Sequence, residues 1–306
     1  MRNILPIVFC FDDNLVLPAG ICINSLLLHA KQDTFYDIFI LHDKDAEYPK
    51  TSFFNKLKEQ FNNFSITFRS VGDEFRGNYE IREITYAAYY RLLIPDIIPE
   101  YDKIFYFDVD IIFQCDLYDI YNSVDLSNYY IGGVSTPTSD IGEYIINKIG
   151  MNVEDYICSG TLIINSKKIK EDNKIPEFKD VASKRWKYQD QDTLNIVCRG
   201  NILILPPWFG VVGTISKIVS DKNQKFYTNN EVLKIKSDGI IHYNGPKPWK
   251  EMCLNFDIWW EYYRKSIFFD YQYYYKFYES QLNPFDRLTL WKRVKILLRY
   301  FKTKFQ

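Results

Sequence analysis

The stretch YDKIFYFDVDIIF, residues 101–113, is a run of isoleucine, phenylalanine and tyrosine broken at its middle by Asp108 and Asp110. Its length and apolar composition predict a buried strand. Side chains alternate faces along a strand, so both carboxylates are expected on one face, about 7 Å apart, with Val109 turned to the other. An unpaired carboxylate is costly to bury. The pair must therefore reach water at a strand end, meet basic side chains or hold a cation.

The same grammar recurs on either side of this stretch. ILPIVFCF (4–11) reads as a buried strand ending at Asp12, Asp13 and Asn14, and Pro18 opens a helical segment running through Ser25 to His29. DIFILHD (37–43) and SITFRSV (65–71) are strands. Between them, EYPKTSFFNKLKEQFNN (47–63) carries Phe53, Phe54, Leu57 and Phe61 at the spacing of one helical face. ITYAAYYRLLIPDIIP, just before the opening stretch, predicts a helix closed by its prolines. Shorter strands are expected at 129–135, 160–166, 201–206 and 239–245. This alternation argues for an α/β fold with a mostly parallel central sheet flanked by helices, in which ligands collect at the carboxyl ends of the strands. The acids at 12–13 and 108–110 both lie toward those ends.

Composition narrows the function. With 38 basic and 39 acidic residues the net charge is −1, which gives no global attraction to nucleic acid. The six cysteines, Cys10, Cys22, Cys115, Cys158, Cys198 and Cys253, are scattered without a paired motif, a pattern that fits a reducing cytoplasm. The apolar stretch after Met1 is too short for a signal-peptide core, and no uncharged run approaches the roughly 20 residues of a membrane span. Gly-rich phosphate loops are absent from the sequence, so a nucleotide would have to be held by metal, side chains and ordinary turns.

Two further clusters stand out. In KYQDQDTLN, Asp190, Gln191 and Asp192 precede an apolar segment; helix capping by Asp190 explains the acids but does not call for the glutamine between them. In IIHYNGPKPWK, His242 ends a strand and Gly245, Pro246 and Pro248 fold the chain around Lys247, a natural phosphate partner. A satisfied structural role for His242 is the plainer reading of that residue alone. With three histidines in the chain, a Cys/His zinc site has little support.

Beyond residue 255 the chain becomes dense in aromatics, and 287–306 carries Arg287, Lys292, Arg293, Lys295, Arg299, Lys302 and Lys304 with no acid. In a helix, Leu290, Trp291, Val294, Leu297, Leu298 and Phe301 share a face beside these cations, the pattern of a helix lying on an anionic membrane surface. Packing of that face on the rest of the chain is the alternative. The expected division is a catalytic unit over 1–254 and a helical, aromatic and basic region over 255–306.

From residue 3 to about 250 the chain resembles the family 8 glycosyltransferases, particularly the bacterial galactosyl- and glucosyltransferases that build lipopolysaccharide or lipooligosaccharide. FCFDDN, YAAYYRLLIP, YFDVDIIF, YICSGTLIIN, YQDQDTLN and IHYNGPKPW carry the likeness, in family order. It implies a GT-A-type nucleotide-sugar-binding fold, a Mn²⁺ site that could accept Mg²⁺, UDP-galactose or UDP-glucose as donor, a saccharide acceptor and transfer with retention. The metal ligands it implies are Asp108, Asp110 and His242. The implied donor-contacting set is Asp12, Asp13, Asn14, Arg91, Asp108, Val109, Cys158, Asp190, Gly245 and Lys247. Within it Asp12 contacts uracil or ribose, Arg91 reaches the sugar, Lys247 grips the diphosphate and Asp190 accepts from a sugar hydroxyl, while Gln191 lies nearest the anomeric carbon. Gln191 and Asp190 are the implied catalytic pair. Retention follows either from attack on the face that UDP leaves or from double displacement through Asp190.

The chain departs from the family where Cys158 replaces the usual asparagine, and where the turn carrying Lys247 is one residue shorter than in some relatives. Other classes fit parts of the pattern: an enzyme resembling glycogenin that glucosylates its own tyrosines, of which there are 25; a non-catalytic nucleotide-sugar-binding module; and an unrelated two-carboxylate phosphotransferase or nucleotidyltransferase.

Overall fold

The computed structural model describes residues 2–44, 51–80, 85–135, 139–212, 228–286 and 289–304. Parts of three expected segments lie outside them: 47–50 of the helix over 47–63, Ile84, and 287, 288, 305 and 306 of the basic tail.

The strands are β1 Asn3–Cys10, β2 Thr34–Asp43, β3 Phe64–Val71, β4 Lys103–Phe107, β5 Ile111–Ile112, β6 Ile131–Ser135, β7 Ile157–Asn165, β8 Ile202–Ile204, β9 Val211–Val212 and β10 Ile241–His242. The larger sheet has the order β3-β2-β1-β4-β7-β6-β8. Every pairing in it is parallel except those of β7 with β4 and β6. From β1 the chain winds outward through β2 to β3, then returns to place β4 on the other side of β1. That reversal opens a crevice beyond the carboxyl ends of β1 and β4, where Phe9 pairs with Phe107.

Alternation along the strands feeds two apolar layers. Ile7, Phe9, Phe105 and Phe107 enter one core; Val8, Ile104 and Tyr106 enter the other, with Tyr89, Tyr90 and Leu92. Phe54 and Leu57 are buried from the short helix Thr51–Asn55 and the 3-10 turn Lys56–Glu59, but the helix expected to run to residue 63 stops there, and Phe53 and Phe61 are only half-buried.

Two local readings are corrected. The opening stretch is not one strand: β4 stops at Phe107, residues 108–110 form a bend, and β5 pairs in a second, three-stranded sheet of order β5-β10-β9. The bend is tertiary in origin. Asp108 still donates its N–H to Gly160 of β7 (2.9 Å), while Asp110 gives its carbonyl to Tyr243 just beyond β10 (2.9 Å). Likewise 84–99 is not one α-helix. A 3-10 helix covers Tyr86–Leu93 and a single α-turn covers Ile94–Ile97, with Pro95 in its first turn, where its missing N–H is tolerated.

The C-terminal helix Phe256–Lys265 buries Trp259, Trp260 and Tyr263 in the core shared with Ile7 and Phe9. Phe277 of the next helix, Tyr271–Asp286, packs on Trp260 with ring centroids 4.3 Å apart. The last helix, Leu290–Lys304, leaves Leu290, Trp291 and Leu298 79%, 82% and 65% exposed. Among the described residues no helix is long and apolar enough to cross a membrane.

Candidate active site

Three segments distant in sequence converge at the crevice. Asp108 follows β4, Asp110 precedes β5, and His242 ends β10 in register with Ile111, one residue past Asp110. One ligand atom from each of the three lies within 4.8 Å of the other two. Nε2 of His242 is 3.2 Å from Oδ1 of Asp110 and 3.7 Å from Oδ2 of Asp108. Oδ1 of Asp110 is buried, yet no donor is aligned on it for a hydrogen bond. Two carboxylates and an imidazole, with one of the carboxylate oxygens buried and lacking an aligned donor, suit a divalent cation.

Gly160 makes room for this arrangement. A Cβ there would lie 2.6 Å from Oδ2 of Asp108 and 2.9 Å from Nε2 of His242, with the His242 ring edge closer still. In sequence Gly160 is one of many glycines; its role appears only when β7 is laid beside β4 and β10.

Charges within the cluster are balanced by neighbours. Burial opposes ionisation of Asp110, but the cations of Lys247 and His242 outweigh it and hold the carboxyl below its usual range. Burial likewise disfavours a His242 cation, yet Asp110 raises its pKa to about 10. Lys247 bonds Oδ2 of Asp110 and the Tyr243 carbonyl, the latter at 2.7 Å. Sγ of Cys158 lies 3.8 Å from Nδ1 of His242, on the ring's other nitrogen.

Arg91 joins the second acidic cluster to the first. It is buried, 3.0 Å from Oδ1 of Asp108 and 3.2 Å from Oδ2 of Asp190, and donates to the carbonyls of Ala88 (2.8 Å) and Ser159 (2.6 Å). Its guanidinium stacks over Tyr106, 4.3 Å from the ring centroid, and Tyr106 donates to Oδ1 of Asp108 at 2.6 Å. Burial raises the Asp190 carboxyl, opposed by Arg91.

Asp190 does not cap its helix, as the capping reading would have it. Helix Gln189–Val197 has Tyr188 at its N-cap, and it is Asp192 that reaches back to the Tyr188 N–H at 2.8 Å. Gln189, a non-glycine residue, starts that helix at φ 43°, a sparsely populated backbone region that tends to mark functional sites. Gln191 accepts from Ser159 N–H at 3.2 Å, which ties it to the segment that also holds Arg91.

The remaining sequence candidates fall as follows. Asp12 follows β1 and accepts from Asn14 N–H at 2.9 Å in a short turn where Asp13 and Asn14 are exposed. The Val109 side chain is buried in the core. Gly245 is exposed at the turn before Lys247. No signal in the sequence marks Gly160 or Tyr156, whose partners lie far away in the chain, and Tyr106 reads locally as one more apolar strand residue although it bonds Asp108 two residues on.

The match that decides the family spans residues 6–253 and is to the family described as Glycosyl transferase family 8. The chain belongs to that family. An Escherichia coli lipopolysaccharide 1,2-glucosyltransferase is 26% identical to this family 8 chain over 261 residues, which is 82% of this chain and 74% of that protein. A Haemophilus influenzae protein named as a glycosyltransferase is 31% identical over 176 residues, 56% of this chain and 51% of the relative. The match thus spans about half of that relative's length. Among solved structures, the galactosyltransferase LgtC in complex with donor and acceptor sugar analogues superposes with a TM-score of 0.70 at 24% identity, covering 89% of this chain and 100% of that one. The bifunctional glycosyltransferase WbbM gives 0.72 at 24% identity, with 92% and 52% covered. These likenesses establish the fold as GT-A-type.

Proposed function

We propose that this family 8 chain is a retaining hexosyltransferase that moves galactose or glucose from a UDP-sugar to a saccharide acceptor in lipopolysaccharide or lipooligosaccharide synthesis. The proposal includes a divalent ion, Mn²⁺ with Mg²⁺ as substitute, held by Asp108, Asp110 and His242, within a catalytic unit over 1–254. The observation that carries it is the meeting of those three side chains with Arg91, Asp190 and Gln191 at the switch point of the sheet. A bound divalent ion supplies charge neutralisation to a diphosphate leaving group.

The side chains supply the rest. Lys247, in the turn begun by Gly245, places a cation against Asp110 and is positioned to take up negative charge on a departing diphosphate. Asp12, with Asp13 and Asn14 beside it, borders the crevice at the end of β1, the place for the nucleoside. Arg91 holds Asp108 and Asp190 together. Because Asp190 is engaged by that guanidinium, it is better suited to anchoring a sugar hydroxyl than to forming a covalent intermediate. Front-face attack, with Gln191 beside the reacting carbon and Cys158 near the sugar, is the route these groups favour.

Thermal-shift screening of UDP-glucose, UDP-galactose and other nucleotide-sugars, with Mn²⁺ and with chelator, tests the reading. A ligand at 100 times its Kd adds about 2.7 kcal/mol of stability, so a UDP-sugar with Mn²⁺ is expected to raise the melting temperature, and chelator to remove the gain. If no UDP-sugar shifts it, the donor assignment falls.

The exposed apolar side chains of helix Leu290–Lys304 alternate with Lys292 and Lys295, which are also exposed. This arrangement supports attachment of the 255–306 region to an anionic lipid surface, and so a place on the cytoplasmic face of the membrane, where lipid-linked acceptors are made. Truncation after Asp286 is expected to weaken binding to phosphatidylserine vesicles at least ~10-fold and to move the enzyme into the soluble fraction. Unchanged sedimentation with vesicles would make that helix a packing element.

A further inference from the structure

We infer that Tyr156, acting with Asp192, is the positioning residue that fixes which way round the Gln191 amide faces the site. The inference rests on the reading that Gln191 acts beside the reacting carbon.

A glutamine side chain can rotate by half a turn and exchange a carbonyl oxygen for an NH₂ group of nearly the same shape. What decides the matter is the character of the partners at each end. At one end stands the backbone N–H of Ser159, 3.2 Å from Oε1. An N–H can only donate, so it calls for the oxygen. At the other end stands the phenol of Tyr156, 3.1 Å from Nε2. A phenol can donate or accept, and would tolerate either orientation if its own proton were uncommitted.

That proton is committed. Tyr156 OH donates to Oδ1 of Asp192 at 2.6 Å. The other carboxylate oxygen, Oδ2, takes the hydroxyl of Tyr144 at 2.6 Å and the N–H of Tyr188 at 2.8 Å. Three donors converge on one buried carboxylate, which an ionised, acceptor-only Asp192 satisfies. The Tyr144 oxygen in turn accepts from Lys187 N–H at 3.2 Å, so its proton too points at Asp192. The Tyr156 oxygen is thereby left as an acceptor facing Gln191 and calls for the NH₂ group. Both ends select the same orientation.

Asn195 holds the frame in which this happens. Its side chain takes Ile157 N–H and donates to the Ile157 carbonyl, both at 2.9 Å, and also donates to the Gln191 carbonyl at 2.8 Å. The start of β7, carrying Tyr156, is thus tied to the helix carrying Gln191 and Asp192. With one amide hydrogen and one carbonyl lone pair used internally, Gln191 presents to a substrate its second hydrogen and second lone pair, in a fixed sense. Removing the phenol oxygen removes the constraint at one end only.

The test uses the full chain with Mn²⁺ and whichever of UDP-glucose and UDP-galactose is turned over, donor hydrolysis being the assay. Tyr156→Phe is expected to lower kcat about tenfold, to leave donor KM within about twofold and to lower the melting temperature by only a few degrees, the Asp192 carboxylate keeping two of its three donors. In a Gln191→Ala background the same change is expected to cost less than about twofold further, because the residue it positions is gone. Equal losses in both backgrounds, or an unchanged kcat in the parent, would overturn the inference.

Should Gln191→Ala alone leave turnover intact, the catalytic reading of Gln191 fails separately; should neither donor be turned over, it is the donor assignment that fails. Side-chain amide NMR of ¹⁵N-glutamine-labelled protein then decides the positioning claim. The Gln191 NH₂ pair is expected to move and broaden on Tyr156→Phe, and an unmoved pair would refute it.

Discussion

Asp110→Asn is expected to reduce sugar transfer at least ~10²-fold, with the loss accompanied by weaker Mn²⁺ binding measured by electron paramagnetic resonance. The substitution conserves shape and changes charge. Asp110 is nearly buried and faces two cations: Lys247 on Oδ2, and His242 with Nε2 3.2 Å from Oδ1. An amide supplies neither the negative charge that holds those cations nor two acceptor oxygens, since one of its ends becomes an NH₂ group directed at a lysine or an imidazole. The ion would thus lose a ligand, and in its absence Lys247 and His242 would lose their counter-charge. Full activity of this variant in chelator would dispose of the metal-assisted mechanism.

Arg91→Met is expected to destabilise the fold by about 3 kcal/mol or more, because it leaves the buried Asp190 without its counter-charge and strips the half-buried Asp108 of one of its partners. Methionine approximates the length of the arginine stem, so the change isolates the guanidinium. That group lies 3.0 Å from Asp108 and 3.2 Å from Asp190, stacks on Tyr106 and satisfies two carbonyls. Asp190, already raised by burial, would be raised further. A fall in melting temperature of at least about 6 °C is the corresponding observation for a domain of this size. Arg91→Lys should recover part of it, since one ammonium keeps the charge but cannot reach both acids and both carbonyls. An unchanged melting temperature for the methionine variant would show that the two acids are sustained by other groups.

Much of the frame could be read from the chain because local pattern and tertiary role coincide there. β1 and the second half of β2 are apolar runs buried as the runs suggest, while β3, at the edge of the sheet, is mostly half-buried. The acids that follow β1 and β4 mark the crevice for the same reason that they interrupt an apolar pattern: carboxylates belong at the end of a buried strand. Where local pattern and tertiary role diverge, the reading failed. Phe107 to Ile111 looks like continuous strand because apolar runs flank the two acids and Val109 alternates with them, yet the chain changes sheets there, drawn by Gly160 on one side and Tyr243 on the other. Tyr86 to Ile97 has the composition of an α-helix but winds mostly as 3-10 before Pro95. Tyr156 and Gly160 are the first and last residues of YICSG, and their neighbours in space, Asp192 and His242, are too far along the chain for spacing to betray them.

Lys247 has a consequence beyond its place in the turn. With the ammonium seated on Asp110, the centre is already internally neutralised by its own side chains. A divalent cation arriving alone would have to evict that ammonium, whereas one arriving with a nucleotide offers it a phosphate as its next resting place. Each of the two ligands would thereby improve the other's affinity by the same factor, so that the centre favours the complete pair over either component by itself.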